Sequence, residues 1–132
     1  MNLVLVSLAG ALGALARYGI EEIVELRRVS WRPYGTMAVN ALGCFIAVVG
    51  GSAIVHFFFA RGWEQQIDLA YTTLVTGFCG GFTTFSSALA IPLLEWRRGG
   101  RIRPLIILLG TPLLCALATA AGAVLAFPPL PA

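Results

Sequence analysis

Gly77-Phe78-Cys79-Gly80-Gly81-Phe82-Thr83-Thr84-Phe85-Ser86-Ser87 sits near the centre of the third of four apolar stretches in a chain of 132 residues. Its three glycines, the Phe82 and Phe85 pair three positions apart and its run of hydroxyls are an odd choice for a helix facing lipid. Glycine loosens a helix, and a broken backbone at membrane depth is tolerated only where protein or a wet cavity surrounds it. The segment is expected to break the third span near its centre and to build a pore or binding site for a small polar solute.

The rest of the chain fits a membrane setting. It is 58% hydrophobic and 11% charged, whereas soluble domains carry about 25% charged residues. The apolar stretches run about 3–20, 35–60, 69–94 and 102–127, each near the ~20 residues that cross a bilayer as a helix. The expected fold is one all-α membrane domain over 1–132 with four transmembrane helices and short charged connections. Met1-Asn2-Leu3 has no basic n-region, so a cleaved signal is not expected. All nine basic residues are arginine, and the net charge of +3 is no nucleic-acid footprint, because the arginines fall in the loops. Anionic lipid headgroups are the expected partners of those loops. Arg27, Arg28, Arg32, Arg97, Arg98, Arg101 and Arg103 flank the first and third connections, and Arg61 alone lies in the second. The positive-inside rule then makes the first and third connections cytoplasmic, with both termini outside and one fixed topology.

Within the spans, polar and small residues recur at helical spacing. Gly10, Gly13 and Ala14 lead up to Arg17 on the first span, and small residues let helices approach closely. Arg17 reads either as an anion-attracting cation at a pore mouth or as an end-of-helix arginine reaching the interface. Thr36, Asn40, Gly43, Ala47 and Gly51 form a stripe on the second span. Asn40 can donate to an anion or glue helices together, and spacing alone favours glue. On the third span, a break frees carbonyls for a cation and exposes half-helix ends that carry partial charge. Phe82 and Phe85 at i, i+3 are expected on one face, with positive ring edges toward an anion. Thr83, Thr84, Ser86 and Ser87 supply hydroxyl donors, or else bond back to their own helix. Cys44, Cys79 and Cys115 match no metal spacing and read as small buried hydrophobes. His56 reads as interfacial. No Asp or Glu falls within the four stretches, which argues for passive conduction over proton coupling. Without a nucleotide loop, a Ser-His-Asp set or a metal cluster, an enzyme is not expected.

Gly13-Ala14-Leu15-Ala16-Arg17-Tyr18, Gly35-Thr36-x-x-Val39-Asn40-x-x-Gly43-x-Phe45 and the string from Gly77 to Ser86 resemble, in order and spacing, the Fluc/CrcB family of fluoride channels. The resemblance covers the first three spans. It implies an antiparallel dimer in a bacterial inner membrane, with two narrow fluoride pores and a central sodium ion. Gly77 and Gly80 would hold the sodium through their carbonyls. Phe82 and Phe85 would offer ring edges to fluoride, Asn40 would donate to it, Thr83 and Thr84 would continue a polar track, and Arg17 would sit at the vestibule. The chain departs from the family pattern at Ala88 and Ile91, where a phenylalanine and an acidic residue are usual. In its fourth span, where family members often carry a tyrosine and serines, Leu108-Leu109-Gly110-Thr111-Pro112 offers one hydroxyl, Thr111, beside a proline. The arginine asymmetry is too strong for a chain that inserts both ways, so an oppositely oriented homologue is the expected partner. The rival readings are a poorly conducting subunit that completes such a heterodimer, and a small drug/proton exchanger. The exchanger would need a first-span carboxylate that residues 1–20 lack.

Overall fold

The structure, a computed structural model, describes residues 2–27 and 32–127. Arg28 and the proline-rich tail from Pro128 lie outside them. With no proline before Pro33, the first helix propagates past its apolar stretch, and α1 runs Asn2–Arg27. Helix α2 spans Arg32–Phe59, with Pro33 in the first turn, where its missing N–H costs nothing. The third span has several parts: α3 (Glu64–Tyr71), a π-helical segment (Thr72–Cys79), α4 (Gly80–Phe82) and α5 (Phe85–Arg97). Helix α6 runs Ile102–Ala126. Among the described residues every regular element is a helix, and four spans are long and apolar enough to cross a membrane. This is a multi-pass membrane protein.

The spans outrun the apolar stretches at several ends. As a result Glu21, Glu22, Glu25, Glu64, Asp68 and Glu95 are helical, so the carboxylate-free reading holds for the apolar stretches and not for the helices. At 1.5 Å per residue the 26 residues of α1 extend about 39 Å against a hydrocarbon core of about 30 Å. That length leaves room for its last turns, with Glu21, Glu22 and Glu25, to reach beyond the core. Gly62 at φ 68° and Gly99 at φ 92° adopt the left-handed conformation that ends one helix and starts a tight connection.

The interior is more polar than the outside. Thr36, Asn40, Thr84 and Thr111 are buried beside Met37, Val39, Cys79, Phe82 and Ile107, while Leu3, Leu12, Leu15, Leu109 and Leu125 are exposed. Lipid rather than water is the solvent that suits this distribution, because apolar side chains gain nothing by leaving acyl chains. Small residues set the helix spacing. A Cβ on Gly13 would overlap the Phe78 carbonyl oxygen, and one on Gly81 would overlap that of Gly10. The small-residue stripe of α1 therefore meets the glycines of the third span backbone to backbone. Helix α2 packs chiefly along α6. The two run parallel, with Met37 beside Gly110 and Val48 beside Gly122.

Candidate functional site

The third span breaks at Thr83 and Thr84, not at its glycines. Thr83 (φ −81°, ψ 157°) and Thr84 (φ −144°, ψ 116°) are extended between α4 and α5. Gly77, Gly80 and Gly81 stay helical, because at Gly77 and Gly81 close packing against α1 fills the space a side chain would take. The local cause of the break is capping. Thr84 is the N-cap of α5, its Oγ1 accepting from the Ser87 N–H at 3.3 Å; threonine favours this position. Thr83 Oγ1 donates back to the Cys79 carbonyl at 2.9 Å.

An interrupted helix leaves polar backbone stranded in a medium without water. Asn40 on α2 answers both needs of Thr84. Its Nδ2 donates to the Thr84 carbonyl at 2.9 Å, and the Thr84 N–H donates to its Oδ1 at 2.7 Å. Asn40 is thus a clamp on the break, which was the reading favoured by spacing alone. One of its two amide hydrogens is committed to the Thr84 carbonyl. Gly43, one turn on, makes room for the break, because a Cβ there would overlap the Thr83 methyl and lie 3.2 Å from the Phe82 ring.

Asn40, Thr83, Thr84 and Phe85 share the wall of a cavity of about 350 Å³ with Cys44 and Thr111. Helix α5 begins at this wall. Its first N–H groups have no partner within the helix, and its positive end lies at membrane depth. The Thr84 hydroxyl lies 3.2 Å from those of Ser86 and Ser87, so this alcohol group is largely bonded within itself, as the bland reading expected. Thr111 Oγ1 likewise donates to the Ile107 carbonyl at 2.7 Å. Among the described residues no buried side-chain nitrogen or oxygen lacks a partner.

Other sequence candidates fall elsewhere. Phe82 and Phe85 do not share a face. Phe82 is 2% exposed and Phe85 78%, because the extended threonines between them cancel the i, i+3 geometry. Phe82 stacks on Phe78 with centroids 5.6 Å apart and does not line the cavity. Arg17 is half-buried on α1, away from that wall. Gly77 is buried and its carbonyl accepts the Gly80 N–H, whereas Gly80 is exposed. The Gly80 carbonyl lacks its usual helical donor, since the Thr84 N–H goes to Asn40. The expected interfacial His56 lies 6.2 Å from the Phe127 ring.

Three features escaped sequence reasoning. The Asn40 clamp pairs groups 44 residues apart. The Thr36 hydroxyl donates to Glu21 at 2.9 Å, tying α2 to the overhanging end of α1. The eight-residue π-helical segment is longer than the single-turn bulges in which that geometry mostly occurs. Only the position of the break had a readable signal, a threonine cap before Phe85-Ser86-Ser87.

Comparison with known proteins agrees with this architecture. The family described as CrcB-like protein, Camphor Resistance (CrcB), matches residues 4–123, which includes most of the fourth span. A protein of Methylobacterium radiotolerans named Fluoride-specific ion channel FluC is 34% identical over 123 residues, 93% of this chain and 82% of that one. One of the same name from Paracoccus denitrificans is 36% identical over 117 residues, 89% of this chain and 87% of that one. No solved structure matches significantly. With all but its first three and last nine residues matched, the chain belongs to the CrcB-like protein family.

Proposed function

We propose that this chain is a subunit of a fluoride-specific channel that lets fluoride leave the cell passively across the inner membrane. It acts as a transporter and not as an enzyme. Its relatives carry the name fluoride-specific ion channel. The observation in the chain itself that carries the reading is the clamped break. It places a helix N-terminus, a spare Asn40 N–H and the Phe85 ring around one cavity inside the membrane-spanning region. A small anion that sheds water there meets donors and the positive end of a helix, with no carboxylate on the wall to repel it. Thr83 and Thr84 continue the polar wall, Phe82 backs it from the core, and Arg17 attracts anions at one mouth.

One chain does not enclose such a path. Phe85 is 78% exposed at a depth where only lipid or protein can cover it. An antiparallel second chain completes the enclosure in our reading. The arginine asymmetry supports an oppositely oriented homologue, with this chain's termini outside. A central sodium ion suits Gly80, an exposed glycine whose carbonyl has lost its helical donor to Asn40. Gly77 fits less well, since its carbonyl already accepts an N–H. Sodium would supply a positive charge on the seam between chains, and Gly80 would present the oxygen.

Gly80→Ala separates these roles. A Cβ there meets nothing closer than the Val75 carbonyl oxygen at 4.0 Å, so the isolated chain should keep its thermal stability. In a dimer that closes on Gly80, the same methyl should weaken association, read by cross-linking or size-exclusion in sodium against a larger cation. Unchanged association would remove Gly80 from the seam.

Flux tests the main reading. Fluoride and chloride efflux from liposomes should be compared for this chain alone and with an oppositely oriented homologue, alongside a topology reporter on the C-terminus. The expected result is fluoride efflux without chloride efflux in the mixed preparation, and reporter signal on the outer face only. Equal signal on both faces rejects the heteromeric arrangement, and absence of fluoride flux in both preparations rejects the channel. The bonded Thr111 hydroxyl favours a second reading, in which the pore that uses this chain's fourth span conducts poorly. Mutating Asn40 in the mixed dimer should then leave total flux unchanged.

A further inference from the structure

Cys44 of α2 and Cys115 of α6 face each other across the cavity wall. Both line the cavity, and the two thiols are close enough to interact electrostatically. The helices that carry them are held close along their length, since a Cβ on Gly122 would stand 3.3 Å from that of Val48. Two thiols on separate, tightly packed helices, turned to a common space, form a ligand set that loop motion cannot scatter. Zinc does not suit it, because structural zinc takes four ligands, and no group of three or more His, Cys, Asp or Glu side chains among the described residues is placed to hold a metal. Soft cations favour thiolates, and those of linear preference need only two.

We propose that Cys44 and Cys115 form a two-thiolate site for a soft divalent cation of linear preference, and that its occupancy plugs the cavity. The plugging rests on the channel reading above, but the binding does not. The balance is M²⁺ plus two thiols giving M(SR)₂ and two protons released to solvent. No oxidant enters and the sulfurs keep their oxidation state. The charge argument selects a divalent ion. Its complex is neutral and sits in an apolar cavity without a desolvation penalty, whereas a monovalent ion would leave one uncompensated negative charge there. The bound ion joins α2 to α6 beside Asn40 and narrows the space that Thr84 and Phe85 border.

Divalent mercury is the probe. The full-length chain, in the assembly that reconstitutes, is loaded, challenged with excess monothiol and measured by intact mass and by sulfur-to-metal charge-transfer absorbance. Wild type and Cys79→Ser should keep one mercury per chain through the challenge, because a two-point chelate outcompetes single thiols. Cys44→Ser, Cys115→Ser and their alanine counterparts should lose it while eluting as folded protein. In liposomes, mercury should remove the share of fluoride efflux that runs along this chain for wild type and leave the efflux of the Cys44 and Cys115 variants unchanged. Mercury retained by folded Cys44 or Cys115 variants, or lost from wild type, overturns the site. Retention by wild type with undiminished flux overturns the plugging. Retention in a preparation that never conducts fluoride supports the site and refutes the channel reading instead.

Discussion

Asn40→Ala should abolish fluoride efflux through the pore this chain lines and destabilise the chain by about 2–6 kcal/mol, because two buried backbone groups lose their partner at about 1–3 kcal/mol each. The side chain bonds both the N–H and the carbonyl of Thr84, at 2.7 and 2.9 Å. Thr84 is buried, and in hydrocarbon no water replaces the lost bonds. The usual interhelical hydrogen bond in a membrane is worth under about 2 kcal/mol, since the polar side chain finds another partner. Here the groups left behind are backbone, held at a helix break and unable to turn away. The chain's alternative is to heal the break by giving the Thr84 N–H back to the Gly80 carbonyl. That would withdraw the helix N-terminus from the cavity and the free carbonyl from Gly80 together. Thermal unfolding and flux should therefore fall in one step. Asn40→Asp supplies the control. A protonated carboxyl can donate to the Thr84 carbonyl and accept from its N–H, whereas the ionised form sets oxygen against oxygen. Burial disfavours the charged form. The variant's stability should hold at low pH and decline as pH rises and the carboxyl ionises. Asn40→Asp as stable as wild type at every pH, or Asn40→Ala as stable as wild type, would refute the clamp.

What could be read from the sequence follows from which interactions are local. Four spans were legible because hydropathy is a property of consecutive residues. The ends were less so. Glu21, Glu22 and Glu25 are polar yet helical, since a helix once started continues at one hydrogen bond per residue with nothing but water beyond the lipid to object. Glycine misled in a specific way. At Gly77 and Gly81 it reads as a breaker, yet a Cβ at either would collide with α1, and that collision depends on residues about 70 positions away. The break instead follows Thr84's cap, a local signal present in the string. Pairing Phe82 with Phe85 failed for the same reason, because helical spacing has no meaning across two extended residues. Asn40 was recognised as needing a partner, but no periodicity could name Thr84. Cys44 and Cys115 read as small buried hydrophobes but are only half-buried, because the α2–α6 packing turns both to the cavity.

Gly81→Ala carries the other large effect. The added Cβ would overlap the Gly10 carbonyl oxygen and lie 2.8 Å from its carbon, so backbone would meet backbone with no side chain to swing aside. Overpacking typically costs about 1–3 kcal/mol where side chains can adjust, and this site should reach or exceed the upper end. Gly13→Ala meets the Phe78 carbonyl in the same way and should behave alike. The loss should not be additive, since separating α1 from the third span once relieves both clashes. Gly19→Ala is the contrast, on the same helix with nothing within 4 Å. It should be neutral or stabilising by up to about 1 kcal/mol through helix propensity. The comparison reaches function because α1 is the wall against which the π-helical segment and α4 rest. Moving them apart shifts Gly80 and the start of the break relative to Asn40. Thermal unfolding in detergent and fluoride efflux in liposomes should both drop for Gly13→Ala and Gly81→Ala and hold for Gly19→Ala. Equal stability for Gly81→Ala and Gly19→Ala would mean that the glycines of the third span do not meet α1, and that the break has some other support.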